Sequence, residues 1–171
     1  MSGLARRGCS GSSRSGTAAL RRLLRFRRGF RRFAVLRRRF GLLGQTLDGQ
    51  RVWDVRRGLA CLRTVADLKD VPLWLQGKDD MAGIALYAGV FEPDVVRLDL
   101  WHPSPSHQEG PYFLNVRRVL DMPQAVALAL PRKVRIYVKD DAEAKAWEWP
   151  RELQKALEQD SLQIRKVPEG R

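Results

Sequence analysis

The sequence predicts an α/β protein: a partial parallel sheet of about four strands with flanking helices, preceded by a basic N-terminus that is disordered or helical. Three observations carry this expectation. Short apolar runs alternate with stretches whose apolar residues recur at steps of three or four. The runs are bounded by Gly, Pro and Asp, the residues that end strands and open helices. Finally, charge is segregated. Residues 1 to 47 hold thirteen arginines, no lysine and no acidic residue, which accounts for the whole formal charge of +13, whereas residues 48 to 171 sum to zero.

Residues 1–41 are therefore read as an Arg-rich tail or helix and residues 42–171 as the globular region. In the tail, Leu20, Leu23, Phe26, Phe30, Phe33, Leu36 and Phe40 share one face of a possible basic amphipathic helix. Such a helix suits nucleic-acid phosphates or an anionic membrane, and it is Arg-rich and acid-free like an organelle transit peptide. The missing lysines also fit a misassigned start or an out-of-frame reading of a GC-rich gene. Arginines interrupt every apolar core that a secretory signal needs, and Arg37, Arg38 and Arg39 stand where a twin-arginine signal following Arg31-Arg32-Phe33 would begin its own. No apolar stretch approaches the length of a membrane-spanning helix, so the default expectation is cytoplasmic.

In the neutral region, Val52, Val55, Leu59, Leu62 and Val65 predict a helix over 49–64, with Asp48 available as its cap. Val71-Pro72-Leu73-Trp74-Leu75-Gln76 has no alternation, as in a strand buried on both faces, and stops at Gly77. Ala82, Ile84, Ala85, Leu86, Tyr87, Ala88, Val90 and Phe91 predict the next helix, closed by Pro93. Val95 to Leu100 is a second strand, and the proline-rich stretch from His102 to Tyr112 a loop. Two short helices broken at Met122-Pro123 fill 113–130. A third strand over 133–139, a helix over 142–159 and a fourth strand over 162–167 complete the pattern.

In such a sheet, ligands are met at the carboxyl ends of the strands, which directs attention to Gly77-Lys78-Asp79-Asp80-Met81-Ala82-Gly83. Two carboxylates make this turn a poor phosphate cradle. Asp79, Asp80, Asp140 and Asp141 all fall at strand ends, where solvated loop carboxylates are the plainer reading than a cation site. His102 and His107 have no third metal ligand in view, and Cys9 and Cys61 have neither metal spacing nor a disulfide framework. No cofactor is expected. Trp74, Trp101, Trp147 and Trp149 could line a sugar cleft but suit packing as well.

The segments Leu42-Leu43-Gly44-Gln45-Thr46-Leu47, Val52-Trp53-Asp54-Val55-Arg56-Arg57, Leu73-Trp74-Leu75-Gln76-Gly77 and Ala82-Gly83-Ile84-Ala85-Leu86-Tyr87-Ala88 give the chain a family likeness over about residues 42–171. It resembles the C-terminal part of the α/β-hydrolase superfamily, especially bacterial acetylxylan-esterase and dienelactone-hydrolase-like proteins. The resemblance implies a nucleophile elbow reading Gly-x-Ser-x-Gly. Here Gly77 matches, Asp79 replaces the serine and Met81 replaces the second glycine, a position where the tight turn favours a small residue.

Some superfamily members use an elbow aspartate as nucleophile, which makes Asp79 a candidate. The acid position implied by the resemblance falls at Asp140. A histidine is implied after the last strand, where this chain has Pro168-Glu169-Gly170-Arg171. His102 or His107 could substitute only by reaching Asp79, Ser104 or Ser106 across the loop.

The expected function is thus a non-catalytic or remnant esterase-like module without a complete Ser-His-Asp triad. The alternatives are a basic-tail protein that binds nucleic acid or anionic membrane through residues 1–41, and an active hydrolase with Asp79 as nucleophile. The resemblance also implies strands ahead of the elbow. Without them the sheet edge at Leu73 lies open, which predicts self-association or a partner chain that completes the sheet. These residues predict no particular small-molecule substrate.

Overall fold

The structure is a computed structural model that describes residues 38–167, and the residues from Phe40 onward form one compact unit. Of the amphipathic pattern expected from Leu20 to Phe40, residues 20–37 lie outside the described residues.

Helix α1 spans Leu47–Leu62 and opens on Thr46, whose hydroxyl accepts from Gly49 N at 2.9 Å. Asp48, expected as the cap, is instead buried in the first turn, where it pairs with Arg51 and accepts the Tyr112 amide at 2.8 Å. The apolar stripe is buried at Val52 and Leu59, but Leu62 and Val65 emerge into solvent as the chain leaves the core.

The sheet follows: β1 (Leu73–Lys78), β2 (Val95–Trp101), β3 (Lys133–Val138) and β4 (Leu162–Lys166), all parallel and adjacent in the order β1-β2-β3-β4. Helix α2 (Asp80–Phe91) connects β1 to β2, and α3 (Met122–Ala129) lies between β2 and β3. Helices α4 (Asp141–Lys145) and α5 (Glu148–Ala156) lie between β3 and β4.

Side chains alternate across the sheet. Leu75, Leu98, Val134 and Leu162 form one row and Gly77, Leu100, Ile136 and Ile164 the next, all on the face that the helices cover. Ala82, Leu86, Met122, Ala125, Val126, Ala129 and Trp147 close this core from the helix side. Each fully buried Leu, Ile or Val contributes about 1.5–3 kcal/mol relative to exposure. On the other face β1 presents Trp74, 64% exposed, with Gln76 and Lys78. This corrects the expectation of a strand buried on both sides: the described helices place their buried apolar residues on one face only, and β1 is an edge strand among the described residues.

Two helix boundaries also differ from expectation. Residues 113–121 hold a short 3-10 turn, Val116–Arg118, and Pro123 sits inside the first turn of α3, where its missing N–H costs nothing. Asp121 and Gln124 form a reciprocal capping box there. The helix expected over 142–159 is broken at Ala146-Trp147, because the chain turns Trp147 into the core at 1% exposure. Pro150 then falls in the first turn of α5, where no intrahelical N–H is needed.

Candidate functional site

The chemistry-bearing turn follows β1. Asp79 has φ 52° and ψ −126°, a backbone conformation that is strained for any residue with a Cβ, and α2 begins at once with Asp80. Its amide donates to Trp101 O at 2.8 Å and its carbonyl accepts from Ala82 N at 2.9 Å, which fixes the turn between strand and helix. Gly77 permits the geometry, because a Cβ there would lie 2.3 Å from Met81 O and 2.7 Å from Ala82 Cα. The tight turn forms with methionine at the second glycine position. Met81 is 44% exposed beside an edge strand, so no neighbouring strand among the described residues crowds it.

The register pairs Lys78 with Trp101 and Trp101 with Tyr137, so Asp79 and His102 leave adjacent strands side by side. His102 also has a positive φ, 48°, and its amide donates to Tyr137 O at 2.8 Å. Its ring Nδ1 is buried, makes no hydrogen bond and stands 3.6 Å from Glu143 Oε2, beyond hydrogen-bond range.

Asp140, the implied acid position, caps α4, accepting from Glu143 N at 2.8 Å, while the Glu143 carboxylate accepts from Lys139 N at 2.8 Å. Glu143 was not singled out in the sequence. The signal was a second carboxylate three residues after Asp140, in the first turn of the helix that follows β3.

His107 and Ser106 are engaged elsewhere. His107 is 5% exposed, with Nδ1 2.7 Å from Pro111 O and Nε2 2.7 Å from the Tyr87 hydroxyl. Because Pro111 O only accepts, the network assigns the proton to Nδ1 and leaves Nε2 to accept from Tyr87. Phe113 packs against both rings.

Ser106 Oγ donates to Asp121 Oδ2 and His107 N to Asp121 Oδ1, each at 2.7 Å. Burial pushes the Asp121 carboxyl up, but the hydrogen bonds from His107 N, Ser106 Oγ and Met122 N outweigh it and hold the group below its usual range. Burial, and then the charge of Asp121, push the Tyr87 phenol above its usual range. Together these residues lock residues 104–121 onto α2 and α3. Gly83 allows the close contact, since a Cβ there would lie 2.5 Å from the Pro111 ring.

The remaining candidates are dispersed. Asp80 is exposed, and Asp141 pairs with Lys166. No group of three His, Cys, Asp or Glu side chains suited to a metal occurs among the described residues. Trp147 is core, Trp149 is 47% exposed, and Trp101 stacks on Tyr137 with centroids 4.1 Å apart. A cavity of about 560 Å³ opens at the start of α1, between Thr46, Gln50, Trp53 and Phe113, and contains none of the strand-end residues. No helix among the described residues is long and apolar enough to cross a membrane.

Four parallel strands, helices against the sheet and a strained turn after the first strand define a partial α/β-hydrolase-like fold, and solved structures agree. The chain is similar to a candidate acetyl xylan esterase from Bacteroides fragilis NCTC 9343, with 15% identity and a TM-score of 0.58 over 79% of this chain and 40% of that one. It is also similar to a CE15 glucuronoyl esterase from Teredinibacter turnerae T7901, with 15% identity and a TM-score of 0.50 over 70% of this chain and 41% of the other. The chain thus spans about 40% of the length of these structures. No family model matches the sequence, and no curated protein matches it.

Proposed function

We propose that this chain is a hydrolase-fold module that does not cleave esters by itself, a remnant of an esterase-like protein in which the elbow survives as a structural turn. The carrying observation is the occupancy of the site. The residue lifted on the turn is an exposed aspartate, Asp79, while Ser106 and His107 are engaged by Asp121, Tyr87 and Pro111. A serine nucleophile needs a base within hydrogen-bond reach, and no Ser–His hydrogen bond exists among the described residues. The similarity to two esterase structures supports the fold part of this reading. Among the described residues β1 has no strand beyond it, which is consistent with completion by a second copy or a partner chain. The test is turnover of a chromogenic acetyl ester and a glucuronoyl ester by the full chain. Rates at the uncatalysed background are expected, and turnover abolished by Asp79→Asn would overturn the proposal.

A second reading is favoured by the torsion of Asp79 and by the position of His102 on the next strand end. In it, Asp79 attacks an alkyl electrophile, its leaving group departs, and the alkyl–aspartyl ester is hydrolysed by water that His102 deprotonates. Intact-mass analysis after incubation with an alkyl halide or epoxide separates the two. An adduct on Asp79 that accumulates in His102→Ala supports the second reading, and an unmodified chain supports the first.

A further inference from the structure

Charge in the globular region balances along the sequence but not across the sheet. The face opposite the core displays, row by row, Trp74, Arg97 and Lys133; Gln76, Asp99, Arg135 and Gln163; and Lys78, Trp101, Tyr137 and Arg165. Five cations and three aromatic rings share it with one carboxylate, Asp99, which is already paired with Arg97 at 2.7 Å. Lys78, Lys133 and Arg135 have no ion pair among the described residues. A cavity of about 460 Å³ lies at one end of this face, lined by Trp74, Arg97, Lys133 and Arg135 among others and by no acidic residue.

The planar groups are arranged in stacks. The Arg97 guanidinium lies 4.4 Å from the Trp74 ring centroid, and Trp101 and Tyr137 stack at 4.1 Å with 12° between their planes. Trp74 stands on the edge strand, 64% exposed, so the Trp74–Arg97 stack is accessible at the sheet edge.

We propose that this sheet face binds single-stranded nucleic acid, with bases stacking on Trp74 and phosphates meeting Lys133 and Arg135. Base stacking on aromatic rings beside a cationic groove is the physical basis of sequence-tolerant single-strand binding. A planar ring extends an existing planar stack, which a lipid headgroup cannot do, and this favours nucleic acid over an anionic membrane. The chain's own N-terminal segment is a poor occupant, since its thirteen arginines would meet a face of the same sign. Those arginines carry charge that attracts a polyanion on its own account. The inference stands whether or not Asp79 is catalytic.

The test uses the full chain and a fluorescein-labelled single strand of about 10 nucleotides, followed by anisotropy over a range of salt. Trp74→Ala is expected to weaken binding about tenfold. Arg135→Glu should weaken it and lower the slope of log K against log salt by about one phosphate contact. Arg151→Glu, an equal charge change on α5, should stay within about twofold of the parent. Ultraviolet crosslinking of the unmodified chain gives a second measurement, because the tryptic peptide Asp70–Lys78 carries Trp74. An adduct on that peptide supports the proposal. Adducts confined to tail peptides, equal binding by parent, Trp74→Ala and Arg135→Glu, or losses in these variants seen only with phosphatidylserine vesicles would each overturn it.

Discussion

Gly77 sits so close to the carbonyl of Met81 that a Cβ on it would approach the oxygen to 2.3 Å, so the backbone of β1 and the first turn of α2 meet without room for a methyl group. Gly77→Ala must therefore push strand and helix apart. The variant is expected to lose about 2 kcal/mol or more of stability, read as a lower urea midpoint, or to fail to fold.

Asp79 carries the strain of the same turn. Its φ of 52° with ψ −126° suits glycine alone, and if the side chain does no chemistry, relieving the strain has no functional cost. Asp79→Gly is expected to raise stability by about 1 kcal/mol, measured by thermal or urea unfolding, with binding to nucleic acid unchanged.

Asp48 ties α1 to the loop before the 3-10 turn through the Tyr112 amide. Asp48→Ala leaves that N–H without its acceptor and should cost about 1–3 kcal/mol. Asp48→Asn keeps an acceptor oxygen and should recover part of the loss, which distinguishes the hydrogen bond from the charge in paired denaturation curves.

Asp121 links stability to acid. Its carboxyl is held below the usual range in the folded chain, so the unfolded chain binds the proton first as pH falls. The stabilisation is complete above the unfolded value of about 3.9 and is lost as pH falls through the lower folded value. Urea midpoints of the parent should drop steeply below about pH 4, and Asp121→Asn, which has no such proton to take up, should give a flatter acid limb.

The strand–turn–helix order was legible because apolar runs, Gly77 and the small residues of α2 are local signals that tertiary packing only reinforces. That the described helices cover one face of the sheet only was not. Val71 to Gln76 reads the same whether one side or both are covered, and only the placement of α2 and α3 on a single side decides it. Thr46 and Asp48 are both competent caps two residues apart, and the burial of Asp48 against Tyr112 selected Thr46. Trp147 falls inside the helix expected over 142–159, but the core draws it inward and breaks the helix. Of the site, the position of the turn at Asp79 was readable. The engagement of His107 by Tyr87 and Pro111, and the approach of Glu143 to His102, depend on how the loop after β2 and the helix after β3 fold back.

Strand order that repeats chain order has a consequence for how this polypeptide assembles. Leu73 pairs with Val95, Arg97 with Lys133 and Val134 with Leu162, so among the described residues every strand pairing closes over one crossover. Relative contact order is correspondingly low for a parallel sheet, and the entropy of closure is met in successive small steps. Such a chain is suited to grow strand by strand as it leaves the ribosome.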